Sequence, residues 1–141
     1  MSSRKNSFVL DCSLAIAWCF EDEISDYSEQ VLNSLIDSRA VVPALWSVEM
    51  ANALLTAERK KRLSHIKSMA FQEYLSGFII DVDDYLFKKP IEIILDLAKE
   101  TGLTAYDATY LELAIRKNLP VATLDKELKQ ASRKIGIEIY S

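Results

Sequence analysis

The sequence predicts an α/β fold, an α/β/α sandwich whose mainly parallel central sheet of four to five strands is covered by helices on both faces. Three observations carry this. Short apolar runs, rich in Val, Ile and Phe, are separated by longer segments with helical spacing, the pattern of strands joined by helical crossovers. The few glycines and prolines, three of each, fall mostly where an element starts or stops. No internal repeat or linker-like stretch interrupts the order, so the 141 residues are expected to form one domain.

Residues 8–11 (FVLD) read as a buried strand, with Ser13 placed to cap a helix running to about Phe20. Tyr27, Val31, Leu32 and Leu35 give helical spacing over 26–38. Arg39–Val42 reads as the second strand, ended by Pro43, and a long helix follows over 45–61. A further helix covers 64–76 and stops at Gly77. The third strand is expected at 78–80, with Asp81–Asp84 as an acidic turn. Helices over 86–100 and 104–117 precede a fourth strand at 119–123, where Pro120 fits only a strand start or an edge. A short helix over 125–134 and a last strand over 137–140 complete the chain.

A net charge of −4 excludes bulk electrostatic attraction as the means of holding nucleic acid. Any such role needs a local basic patch and a bound metal. Cys12 and Cys19 are seven residues apart, which on one helix is about 10 Å and too far for a disulfide. With His65 as the single histidine, a Cys/His zinc site is excluded as a reading. Arg4 and Lys5 precede an apolar stretch as in a signal peptide, but Asp11 interrupts it. No run approaches the ~20 apolar residues of a membrane span, so the expectation is a cytoplasmic protein without a membrane partner.

The chemistry concentrates in four acids, Asp11, Glu49, Asp107 and Asp125, each at a strand-to-helix junction or in the first turns of a helix. In an open parallel sheet those junctions share one edge, so the four can converge there, provided the helix carrying Asp107 starts at that edge. Singly, three have structural explanations. Asp107 follows Thr104 by three residues, as in a capping box; Glu49 sits early in a helix after Ser47; Asp125 can cap the last helix. Asp11 has none, because a charge between two apolar runs is costly unless paired or ligating. Asn52 shares a helix face with Glu49, and Thr123 would point with Asp125 if the strand ran through both. Converged carboxylates repel, and oxygen-only ligands select Mg²⁺ or Mn²⁺ as the neutralising ion.

The stretches VLDCSLAIAWCF (9–20), PALWSVEMANAL (43–54), LTAYDATYLELA (103–114) and LPVATLD (119–125) resemble the PIN-domain family, and more narrowly its VapC-type ribonuclease toxins of toxin–antitoxin pairs. The resemblance spans nearly the whole chain. It implies a PIN-like sandwich in which Asp11, Glu49, Asp107 and Asp125 are the catalytic quartet. Asn52 and Thr123 match the family's accessory polar positions, and Ser13 sits beside the first acid. The expected activity is Mg²⁺-dependent endoribonuclease cleavage by metal-activated water, with Asp11, Asp107 and Asp125 as metal ligands and Glu49 orienting water or holding a second ion. It further implies a homodimer, a free-standing toxin without an extra domain, and silencing by a cognate antitoxin laid over the active site.

Basic residues should rim such a pocket, and Arg59, Lys60, Lys61 and Arg62 form the densest positive run, offered as the RNA contact. Trp18 and Trp46 read as packing aromatics and His65 as a surface residue. Two alternatives compete. One is a catalytically weak PIN domain acting as an RNA-binding or assembly module, which has no reason to keep four costly charges. The other is a phosphoryl-accepting receiver-like domain, which lacks the acidic partner expected next to Asp11.

Overall fold

Ser7–Leu10 forms β1, buried along its whole length, as a continuous apolar run should be when both faces of a parallel sheet are covered. A computed structural model describes residues 7–141; Arg4 and Lys5 lie outside the described residues. β2 (Arg39–Pro43), β3 (Ile80–Asp83) and β4 (Val121–Ala122) join β1 in one sheet of order β3-β2-β1-β4. Every pairing is parallel, with Val9 opposite Val41 on one side and Val121 on the other.

The described residues include seven α-helices, of which the first six lie in the connections between strands and the last follows β4: α1 (Cys12–Ala17), α2 (Asp26–Ser34), α3 (Leu45–Arg59), α4 (His65–Ser76), α5 (Ile91–Thr101), α6 (Ala105–Lys117) and α7 (Lys126–Lys134). The steps from β1 to β2 and from β2 to β3 move in one direction across the sheet, and the step from β3 to β4 moves back. Right-handed crossovers therefore put α1–α4 on one face and α5–α6 on the other. The packing agrees, since α1 touches α3 while α5 and α7 both touch α6. Phe8, Leu10, Leu14, Val42, Tyr110, Leu111, Leu113 and Leu128 are fully or almost fully enclosed between the layers. Each such side chain contributes about 1.5–3 kcal/mol of burial. The α/β/α sandwich is the fold that the sequence predicts.

Several boundaries differ, each for a local reason. α1 begins at Cys12 with Asp11 in the N-cap position, so Ser13 lies inside the helix and does not cap it. The helix stops at Ala17, short of Phe20. β3 takes in Asp81 and Asp83, which the sequence assigned to a turn. Aspartate is disfavoured in strands, but β3 is the sheet edge and its carboxylates reach Arg39 and Arg116. The expected helix over 86–100 is split into a 3-10 turn at Tyr85–Lys88 and α5, with Pro90 as the N-cap. The expected last strand shrinks to one bridge, Val121 with Ile139. Its neighbour Tyr140 stacks on Phe8 at 4.0 Å and accepts a 2.7 Å hydrogen bond from the Tyr27 hydroxyl at its carbonyl.

Candidate functional site

β1 and β4 are neighbours, yet the helix leaving β1 covers one face and the helix reaching β4 covers the other. Such a switch in direction opens a crevice beyond the carboxyl ends of the two strands. Asp11 is the first residue past β1 and only 4% exposed. Its Oδ2 accepts from Ser13 Oγ at 2.7 Å and from Thr123 Oγ1 at 2.6 Å. Thr123, fully buried just past β4, also accepts from the Asp125 N–H at 2.9 Å. One hydroxyl thus ties both strand ends together.

Asp125 caps α7, its Oδ1 accepting from the N–H groups of Glu127 and Leu128 at 2.8 and 3.0 Å. Asp107 stands in the first turn of α6, where its N–H is held by Thr104 Oγ1 at 3.1 Å. Its carboxyl does not turn back to complete a capping box. It lies instead within hydrogen-bonding reach of Asp125, and it feels the charges of Asp11 and Glu49 as well. Since α6 leads into β4, its N-terminus points at the crevice, as convergence requires. Glu49, in the second turn of α3, is half-buried, and its Oε1 accepts from the Tyr110 hydroxyl at 2.5 Å.

The electrostatics record this crowding. Burial, then the neighbouring charges of Asp125, Asp11 and Glu49, push the Asp107 carboxyl up to about 7. Burial also raises Asp11, against the opposing effect of the Ser13 and Thr123 hydrogen bonds. Glu49 is raised by burial as well, with the Tyr110 bond acting the other way. Among the described residues no Lys, Arg or His forms an ion pair with any of the four acids. Cys12 stands beside them, but burial and the charges of Glu49 and Asp11 push its thiol up to about 12, so it remains protonated.

Uncompensated carboxylates in a crevice, with oxygen donors alone, suit a hard divalent cation. No three of the described Asp, Glu, His or Cys side chains form a ready-made metal cage.

Among the described residues no side-chain hydrogen bond or ion pair joins Asn52 or the basic run to the four acids. Asn52 is exposed on α3, one turn beyond Glu49, and its side chain makes no hydrogen bond among the described residues. Arg59 ends α3 ten residues after Glu49, about 15 Å along the helix axis, so the basic run sits at the end away from the acids. Arg62 is already engaged, ion-paired with Asp22 and Glu23 and stacked over the Phe20 ring at 3.9 Å. Tyr110 was missed by the sequence reading. The signal was present, because a tyrosine three residues after Asp107 shares its helix face and its hydroxyl needs an acceptor when buried.

The PIN-domain family model matches residues 8–134, and the chain belongs to that family. PIN domains are generally nucleases and usually depend on a divalent metal. The crystal structure of PAE2754 from Pyrobaculum aerophilum is similar, with a TM-score of 0.66 and 25% identity, over 89% of this chain and 78% of that one. No curated protein matches. Among the described residues no helix is long and apolar enough to cross a membrane.

Proposed function

We propose that the chain is a one-domain, Mg²⁺- or Mn²⁺-dependent endoribonuclease and the toxin of a toxin–antitoxin pair. The observation that carries the nuclease reading is the meeting of Asp11, Asp107, Asp125 and Glu49 at the β1–β4 switch point, where among the described residues no basic side chain pairs with them. Asp11, Asp107 and Asp125 are the residues to hold the ion. Bound there, it supplies an acidified water and stabilises charge on the phosphate. Ser13 and Thr123 fix the rotamer of Asp11 by bonding its Oδ2. Glu49 is held by Oε1 and offers Oε2 to orient water. Addition of water across the phosphodiester leaves a 5′-phosphate and a 3′-hydroxyl.

An RNA strand following α3 away from the acids meets Arg59, Lys60 and Lys61, the proposed phosphate contacts. The resemblance to VapC-type toxins supports a cytoplasmic protein, an antitoxin partner and a homodimer. Exposed Phe87, Ile91 and Leu95 give a second copy an apolar face to cover.

Purified protein with structured RNA and Mg²⁺ tests the proposal. Cleavage is expected, and Asp11→Asn or Asp107→Asn should lower its rate at least about a hundred-fold while the fold persists. Cleavage that survives both substitutions would sink it.

A further inference from the structure

Tyr110 lies in the middle of α6 with none of its surface exposed, and its hydroxyl donates to Glu49 Oε1. A buried hydroxyl without an acceptor is destabilising, so phenylalanine would serve better if the position only packed. The ring shares a face of α6 with Asp107, one turn earlier. A single side chain therefore couples the helix carrying one acid to the tip of another, 61 residues away in sequence.

Glu49 needs such a tether. Its side chain makes no other hydrogen bond among the described residues, and the charges of Asp11 and Asp107 act on it. A side chain with three torsions, repelled by its neighbours, otherwise swings toward solvent. Lysine or arginine would also hold it, but their charge would fill the place meant for a cation. A neutral phenol fixes the oxygen and adds no charge.

We propose that Tyr110 is a positioning residue of the acidic site, holding Glu49 Oε1 so that this carboxylate meets the crevice in one orientation. The inference rests on the nuclease reading above. Tyr110→Phe keeps the ring and removes the donor. In the full chain, kcat for RNA cleavage should fall about ten-fold while KM changes less than about two-fold. Mn²⁺ binding without RNA, followed by electron paramagnetic resonance, should weaken about three-fold. Glu49→Asp draws the acid away from the phenol and should give the same kcat loss, which serves as the test if Tyr110→Phe does not fold. Adding Tyr110→Phe to Glu49→Gln should cost nothing further in either readout.

Wild-type kcat and Mn²⁺ affinity in Tyr110→Phe, with only a lowered Tm, would overturn the proposal, as would full activity in Glu49→Asp. Wild-type protein that neither binds Mn²⁺ nor cleaves RNA removes the nuclease reading and the inference together.

Discussion

The Thr123 hydroxyl donates to Asp11 Oδ2 at 2.6 Å while accepting from the Asp125 N–H at 2.9 Å. It uses its single proton on the carboxylate and a lone pair on the backbone, so its orientation is fixed from both sides. Replacing it with valine keeps the shape, leaves the buried Asp11 carboxylate with Ser13 as its one hydroxyl donor, and strands the Asp125 N–H. Thr123→Val should cost about 1.5–3 kcal/mol, the range for a hydrogen bond to a charged group. Urea unfolding would read this as a lower midpoint at unchanged slope.

The raised Asp107 carboxyl sets a pH dependence of definite sign. Its folded value is about 7, against about 3.9 for an unfolded aspartate. Between those values the native state holds the extra proton, so stability without metal falls as pH rises, reaching its low plateau above about 7. Asp11, also raised, acts in the same direction. Thermal melts in chelator from pH 5 to 8 should show a declining Tm, and Asp107→Asn should flatten much of the decline.

Divalent metal should reverse that penalty. Binding to the native state at ten times Kd adds about 1.4 kcal/mol, or a rise of a few degrees in Tm. Asp11→Asn and Asp107→Asn remove a repelled charge, so each should melt higher than wild type in chelator. Each should also lose most of the Mg²⁺-induced shift. Differential scanning fluorimetry with and without Mg²⁺ checks both halves, and variants less stable than wild type in chelator would contradict the mutual repulsion of the four acids.

Away from the acids, Arg116 grips Asp83 with both Nη groups at 3.1 and 2.7 Å. It also bonds Glu112 and lies over the Tyr85 ring at 4.0 Å. Asp83 is held below the usual carboxylate range, chiefly by the Arg116 hydrogen bonds. A lowered carboxylate stabilises the fold above its unfolded value near about 3.9, and the contribution is lost as pH falls through the folded one. Arg116→Met strands two partly buried acids and should cost about 2 kcal/mol at pH 7, less than the several kcal/mol of a fully buried pair. The difference from wild type should narrow toward pH 3.

Much of the site was legible because strand ends are marked by composition. Asp11 interrupts an apolar sequence that has no local use for a charge, and the parallel order dictated which edge it would share with Asp125. Hydroxyls commonly begin helices, so Ser13 reads as a cap, whereas its hydroxyl serves the side chain of Asp11 two residues earlier. β3 was displaced because edge strands tolerate acids that a central strand excludes, and edge position is set by topology rather than by local sequence. The Tyr110–Glu49 bond joins α6 to α3, and although spacing puts Tyr110 on the face of Asp107, nothing within α6 names Glu49 as its acceptor.

The adjacency of β1 and β4 brings residues 112 positions apart into direct hydrogen bonding. Contacts of that span form only after the intervening chain has folded back on itself. During synthesis, the first acid therefore waits for the last. A nascent chain cannot assemble the quartet until Asp125 has left the ribosome, and any truncation before that point leaves Asp11 without the Thr123 hydroxyl as its partner.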